Sequence, residues 1–238
     1  MNSSDCFQLR RSNERGHADH GWLKTYHSFS FGEYHDVNHM GFRSLRVINE
    51  DFIAPLGGFP THPHRDMEIF SYVVEGELAH EDNMGNSRRI RPGEIQVMSA
   101  GSGVTHSEYN PLQGKSTHML QVWIMPDEKG LPPRYTEWKP PAMEASNPKV
   151  LLISGDGRDG SATIAQDADV WRLKLQPGEQ IRHTLKESRG MWLQMIKGSA
   201  EIGGLNIQAG DAVSTAMPAD LNIFADDVEV EALLFDLS

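Results

Sequence analysis

The sequence predicts an all-β protein, a sandwich or barrel assembled from many short strands. Three observations carry this. Apolar and β-branched runs of five to eight residues recur along the chain, turn residues punctuate them, and apolar spacing of helical period is nearly absent. With 22 Gly and 13 Pro in 238 residues, the composition also favours a turn-rich β protein over a helical bundle.

The strand-like runs, in order, are Ser44 to Asn49, Glu68 to Val74, Ile95 to Ser99, His118 to Met125, Val150 to Ser154, Trp171 to Leu175, Met191 to Ile196 and Val230 to Phe235. Between them stand Glu75-Gly76, Met84-Gly85-Asn86, Pro92-Gly93, Pro177-Gly178 and Gly203-Gly204, which are turn signals because glycine supplies positive φ and proline presets a turn. Pro126, Pro132, Pro133, Pro140, Pro141 and Pro148 crowd one stretch, and such a composition resists helix interior and central strand alike. That stretch reads as a connection between domains. The predicted division is a first barrel over residues 1–130, a linker over 131–148 and a second barrel over 149–238.

An internal repeat supports the division. S-Y-V-V-E-G-E-L followed by I-R-P-G-E-I-Q-V in the first half answers to L-Q-M-I-K-G-S-A-E-I followed by I-Q-A-G-D-A-V in the second. Gly76 aligns with Gly198 and Gly93 with Gly210, with a hairpin five residues shorter in the second copy.

Charge and cysteine content exclude several classes. Lys plus Arg total 22 against 33 Asp plus Glu, a formal charge of −11, and no basic run or aromatic-interleaved basic patch appears, which argues against nucleic acid as a direct ligand. Cys6 alone cannot form an intramolecular disulfide, and the first 25 residues carry no apolar signal core, so a reducing, cytoplasmic setting is expected. No apolar stretch reaches the length of ~18 residues that a bilayer span requires, so no membrane association is expected.

Two strings carry the chemistry: T-H-P-H-R-D-M-E at 61 to 68 and T-H-S-E-Y-N at 105 to 110. In an extended strand, side chains two apart share a face, so His62 with His64, and His106 with Glu108, form two side-by-side ligand pairs. Three imidazoles and one carboxylate suit a divalent transition metal better than calcium or magnesium. One H-x-H pair is weak, since 11 histidines produce about half such a pair by chance in this length. The second same-face pair 42 residues downstream, with turn punctuation between, makes the case. In the repeat, His62 and His64 fall on Thr184 and Lys186, and His106 and Glu108 on Ile223 and Ala225, so the metal is expected only in the first barrel. His183, one position away from the aligned site, reads as a structural or exposed residue.

The strings H-G-W-L, F-S-F-G-E-Y, G-F-R-S-L-R-V-I-N-E-D, H-P-H-R-D-M-E, M-S-A-G-S-G-V-T-H-S-E-Y-N and the late L-L-F-D-L resemble the pirin family across almost the whole chain, densely through residue 125. The resemblance implies a bicupin, two β-sandwich or jelly-roll barrels facing each other, with one metal per chain held in the N-terminal barrel by His62, His64, His106 and Glu108. The expected metal is Fe(II), with Ni, Co, Mn, Cu and Zn as alternatives. Many cupins draw the fourth ligand from the first motif, which here is Glu68. The pirin match favours Glu108 and leaves Glu68 as a pocket residue or one that orients a histidine.

The same resemblance implies quercetin 2,3-dioxygenase activity, in which a flavonol binds through its 3-hydroxyl, dioxygen is consumed, and the heterocyclic ring opens with release of carbon monoxide. Glu108 is then both ligand and the catalytic base that takes the 3-hydroxyl proton. The alternative is a regulatory protein that docks on a protein partner according to the redox state of its metal, with flavonol cleavage a surrogate activity. Two other motifs carry nothing: G-D-G-R-D-G at 155 to 160 spells a dinucleotide fingerprint but no helix opens there, so it reads as a polar turn, and Asn2-Ser3-Ser4 matches a glycosylation sequon by letter only.

Overall fold

The computed structural model describes residues 6–139 and 146–238, which places Asn2-Ser3-Ser4 and part of the expected linker outside the described residues. Strands dominate, and each of the eight apolar runs is one. They are observed as Leu45–Ile53, Glu68–Glu75, Ile95–Ser99, Thr117–Ile124, Lys149–Ser154, Ala168–Leu175, Gly190–Lys197 and Val230–Leu237. These are strands of the two larger sheets, buried along most of their length, which is why they read as continuous apolar runs. No helix among the described residues is long and apolar enough to cross a membrane.

The chain divides into two compact units. In the first, a seven-stranded antiparallel sheet runs in the order Arg134–Trp138, Ile95–Ser99, Glu68–Glu75, Thr117–Ile124, Leu45–Ile53, Leu23–His27, Gly16–Asp19. Against it packs a four-stranded sheet ordered Gly58–His64, Val104–Tyr109, Leu78–Asp82, Ser87–Ile90. Leu23, Ile53, Val73 and Met119 of the larger sheet meet Leu78 and Ile90 of the smaller one. Each such side chain withdrawn from water contributes ~1.5–3 kcal/mol, so this layer fixes the spacing of the sheets that carry the site.

The second unit repeats the plan. Six strands of its larger sheet run in the order Gln8–Arg10, Ala212–Thr215, Gly190–Lys197, Val230–Leu237, Ala168–Leu175, Lys149–Ser154, and its smaller sheet runs Gln180–Leu185, Ala219–Ala225, Ser199–Ile202, Leu205–Gln208. Between them lies a core that includes Leu173, Leu193, Val213, Ile223 and Leu234. The aligned glycines occupy matching places. Gly76 (φ 82°) turns Glu68–Glu75 into Leu78–Asp82, and Gly198 (φ 78°) turns Gly190–Lys197 into Ser199–Ile202. A Cβ on either would stand 2.9 Å from Ser116 O or 2.2 Å from Glu229 O, so both positions require glycine for space as well as for φ.

The domain boundaries need correction at both ends of the first barrel. Gln8–Arg10 belongs to the second unit, pairing with Ala212–Thr215 and pinned by Arg11 and the Ser12 amide on the Asp211 carboxylate at 2.8 and 2.7 Å. A three-residue strand has no readable periodicity, and its stability comes from this long-range anchor. Within the expected linker, Arg134–Trp138 is a strand on the edge of the first sheet, paired with Ile95–Ser99. Proline crowding is real there, but the five residues between Pro133 and Lys139 are free of it, and an edge position tolerates flanking prolines. Ala162–Gln166 groups with the first unit, its Ala165 carbonyl accepting from Asp127 N and Gln166 donating to Met125 O. The glycine-rich stretch at 155 to 160 is a polar turn, with Gly157 and Asp159 at positive φ.

Candidate metal centre

Strand pairing brings the two predicted ligand pairs together. Gly58–His64 and Val104–Tyr109 run antiparallel with His106 directly opposite His62 and Val104 opposite His64. His62 and His64 do share a face, with ring centroids 4.7 Å apart, and both rings reach His106 at 4.5 and 4.9 Å. Each offers a ring nitrogen within 4.8 Å of the others. A bulge between His106 and Glu108 breaks the simple two-residue alternation there.

Hydrogen bonds assign the tautomers. His62 Nδ1 lies 2.8 Å from the Pro60 carbonyl, an acceptor only, so Nδ1 carries the proton and Nε2 presents a lone pair. On the other side, His80 Nε2 donates to Asp82 Oδ2 at 3.3 Å, which leaves His80 Nδ1 to accept from His106 Nδ1 at 3.4 Å. His106 Nε2 is therefore also a bare lone pair, and it lies 3.1 Å from His62 Nε2. Two lone pairs at that distance repel unless a cation lies between them. Nitrogen ligands ~2.1 Å from a metal and at right angles are ~3.0 Å apart, so the spacing fits a shared divalent metal. Burial, reinforced by the neighbouring imidazoles, pushes His106 down to about 3 and His64 down to about 4, and both rings are neutral at physiological pH, the state that binds metal.

Asp82, the far end of this chain of contacts, is itself fixed. The Met84 and Asn86 amides donate to Oδ1 at 2.9 and 3.0 Å and Asn86 Nδ2 donates to Oδ2 at 2.8 Å. Against the cost of burial, those donors hold its carboxyl below the usual range. The Met84-Gly85-Asn86 turn thus does more than join two strands.

Glu108 is 1% exposed and stands in a cradle of three neutral donors: Ser71 Oγ at 2.8 Å and Gln96 Nε2 at 2.5 Å on Oε1, and Gln121 Nε2 at 2.6 Å on Oε2. Its carboxylate groups within 4.8 Å with His80 and His106 and does not join the three-histidine group at that limit. His106 is common to both groups.

Glu68 differs from expectation. Its carboxylate accepts from Ser99 Oγ at 2.6 Å and from the Ala165 backbone, burial raises its pKa, and it does not line the cavity beside the histidines. The reason is local. Residues 62, 64 and 68 do not share one strand, because Asp66 turns the backbone at φ 49° and Glu68 opens a strand of the other sheet.

His62, His64 and Glu108 border a cavity of about 870 Å³, large enough for a drug-sized aromatic ligand. Its walls are aromatic: Trp22 meets Phe59 edge-on at 5.1 Å, Phe31 meets Trp123 at 5.3 Å, and Trp123 meets His64 at 4.9 Å. Sequence reasoning missed His80, Asp82 and the Ser71, Gln96, Gln121 cradle. The signal for the first two was present as an H-x-D pair, His80 and Asp82, within one strand.

The chain is similar to known proteins over nearly all of its length. The profile of a family described as Pirin matches residues 8–124, and one described as Quercetinase C-terminal cupin domain matches residues 151–237. A protein of Escherichia coli K12 named quercetin 2,3-dioxygenase is 46% identical over 229 residues, 96% of this chain and 97% of that one. The crystal structure of a bacterial pirin from E. coli in complex with nickel(II) superposes with a TM-score of 0.92 at 45% identity, covering 97% of this chain and 98% of the other. A quercetin 2,3-dioxygenase from Acinetobacter baumannii, 20% identical with a TM-score of 0.77 over 97% of this chain and 85% of that one, shares the fold.

Proposed function

The chain belongs to the pirin family, and from that premise we propose that it is a dioxygenase dependent on one divalent transition metal, acting on a flavonol such as quercetin. The observation that carries the reading is the pair of opposed lone pairs on His62 and His106, with His64 beside them, at the edge of an aromatic cavity of about 870 Å³. A structural zinc site would be closed and sulfur-rich; this one opens on a cavity. The relatives named quercetin 2,3-dioxygenase, and the nickel complex of one pirin, support the reaction class and the kind of metal.

His62, His64 and His106 hold the metal in this reading, and Glu108 completes the set. A metal bound there supplies Lewis acidity toward a substrate hydroxyl and a redox partner for dioxygen. The protein's own part is positioning and proton transfer. Trp22, Phe59, Phe31 and Trp123 hold a flat aromatic ligand by edge contacts and keep water off it. Ser71, Gln96 and Gln121 fix the Glu108 carboxylate, and a substrate hydroxyl entering beside it gives its proton to that carboxylate. None of those three donors is charged, so they orient Glu108 without cancelling its charge.

The test is anaerobic reconstitution of metal-free protein with single metals, then oxygen uptake and carbon monoxide release on adding a flavonol. Saturable, oxygen-dependent turnover with one metal per chain is expected. Stoichiometric metal with no turnover on any flavonol would replace this reading by the regulatory one, in which metal oxidation changes binding to a protein partner.

A further inference from the structure

The cavity wall opposite in origin to the histidines, built from the larger sheet rather than the smaller, contains two polar side chains that the proposed chemistry does not use. Asp51 and Thr25 face one another across the pairing of Leu45–Ile53 with Leu23–His27, and both line the cavity. They are 2% and 3% exposed. Asp51 Oδ1 and Thr25 Oγ1 are buried without a hydrogen-bond partner, and the Thr25 hydroxyl beside the Asp51 carboxyl only partly offsets the cost of that burial.

Buried polar atoms without partners are costly and correspondingly rare, so two of them side by side on a cavity wall mark the place where something else supplies the bond. Burial, with repulsion from Glu108 and Glu50, pushes the Asp51 carboxyl up to about 7, as fits a group that lacks enough donors of its own. An apolar side chain here would spare that cost, and the surrounding wall is largely aromatic.

We propose that Asp51 and Thr25 form a hydroxyl-recognition subsite: a phenolic hydroxyl of the bound ligand donates to the Asp51 carboxyl and accepts from the Thr25 hydroxyl. A hydroxyl is the group that can do both at once. The proposal rests on the aromatic-substrate reading above and names what part of the ligand is read, a ring hydroxyl remote from the one that gives up its proton to Glu108. Two-point fixation then sets the orientation of a flat ligand that aromatic edges alone would leave free to slide.

The experiment is a comparison of two ligands on three proteins. Quercetin and 3-hydroxyflavone share the reacting hydroxyl and carbonyl, but 3-hydroxyflavone lacks the hydroxyls on its two outer rings. Dissociation constants are measured by calorimetry, without oxygen, on metal-loaded wild type, Asp51→Asn and Thr25→Val, with circular dichroism to verify folding. Wild type should bind quercetin more tightly than 3-hydroxyflavone. The ratio of the two constants should collapse by ~10- to 100-fold in Asp51→Asn, the range for a lost bond to a charged group, and by roughly 5-fold in Thr25→Val. An unchanged ratio in both variants overturns the proposal, as does an equal loss for both ligands, which is what a structural role or a resident water would give. Thr25→Val alone decides the matter if Asp51→Asn does not fold. Oxygen uptake on the same set separates the two readings: turnover without ligand discrimination removes the subsite only, whereas discrimination without turnover removes the dioxygenase and keeps the subsite.

Discussion

His106 in the first unit and His183 in the second are both buried histidines on a strand of the smaller sheet, and both are tied to a carboxylate, His183 directly and His106 through His80, yet they end in opposite states. His106 is held from behind: its Nδ1 donates to His80, which is tied to Asp82, and its Nε2 is left as a lone pair toward His62, which borders the cavity. His183 is held from both sides. Its Nε2 donates to Asp236 at 2.8 Å, Arg189 donates to the same carboxylate, and Lys149 Nζ donates to its Nδ1 at 2.9 Å while lying 4.6 Å over the Trp171 ring. Every ring nitrogen of His183 is committed inside the protein. Metal capacity therefore follows from whether a buried imidazole keeps a lone pair uncommitted, not from its presence. Among the described residues, both groups of three or more candidate ligands lie in the first unit.

The largest effect should come from breaking the open site. His106→Ala removes the residue common to both ligand groups, and metal content should fall from about one per chain to less than ~0.1 while the β circular dichroism signal persists, because burial in two cores rather than the metal stabilises the fold. His183→Ala should leave metal content unchanged. Metal analysis showing two tightly bound ions per wild-type chain, or loss of metal in His183→Ala, would erase the contrast between the units.

Next in size is the carboxylate. Glu108→Gln keeps the shape of the side chain and loses its basicity, and turnover per bound metal should fall by ~10²- to 10⁴-fold, the usual contribution of a general base. Glu68→Gln should stay within about tenfold, since its carboxyl faces Ser99 and the Ala165 backbone. Oxygen uptake normalised to metal content checks both. A larger loss in Glu68→Gln than in Glu108→Gln would return the fourth position to the first motif.

How far the sequence could be read follows from the range of the interactions. His62, His64 and His106 were legible because strand parity is local and the H-x-H pair lies within one strand. Gly76 with Gly198 and Gly93 with Gly210 were legible because a positive φ at a tight turn leaves few substitutes for glycine. Glu68 was expected in the pocket or behind a histidine, but the turn at Asp66 carries the chain from one sheet into the other, and its carboxyl faces Ser99 instead. His80 and Asp82 were missed because their roles depend on pairing Leu78–Asp82 with Val104–Tyr109, a contact set by tertiary structure. The Gln8–Arg10 strand was missed for a similar reason, since its partner lies about 200 residues away.

The closed cluster of the second unit can be broken in its turn. Asp236 has its carboxyl held below the usual range, because His183 and Arg189 donate to it against the cost of burial. Asp236→Asn leaves Arg189 and Lys149 without their buried counter-charge and should destabilise the chain by about 3 kcal/mol in urea unfolding at pH 7, with metal content unaltered. The sign with pH is fixed. A carboxyl whose pKa is depressed on folding stabilises above its unfolded value of ~3.9, and that stabilisation is lost as pH falls through the folded value. The deficit of the variant should thus be full between pH 5 and 8 and shrink below about pH 4. A deficit that grows on acidification would show that Asp236 is not the charged member of this cluster.

The smallest expected effect tests the contact that distinguishes the two histidines. His80 accepts from His106 Nδ1 and so keeps the lone pair on the other nitrogen; it also stacks on Tyr135 at 4.8 Å, which limits its rotation. His80→Leu fills much of the same space but takes away the acceptor, freeing His106 to rotate or to move its proton to Nε2, where it would block the metal. Outer partners of this kind are worth ~10- to 100-fold in metal affinity, so competition against a chelator should show a loss in that range for His80→Leu. His80→Gln restores an acceptor oxygen on a flexible stem and should recover part of it. Equal affinity in wild type and His80→Leu would mean that strand pairing alone orients His106, and that the lone pair toward His62 does not depend on Asp82 and the turn that holds it.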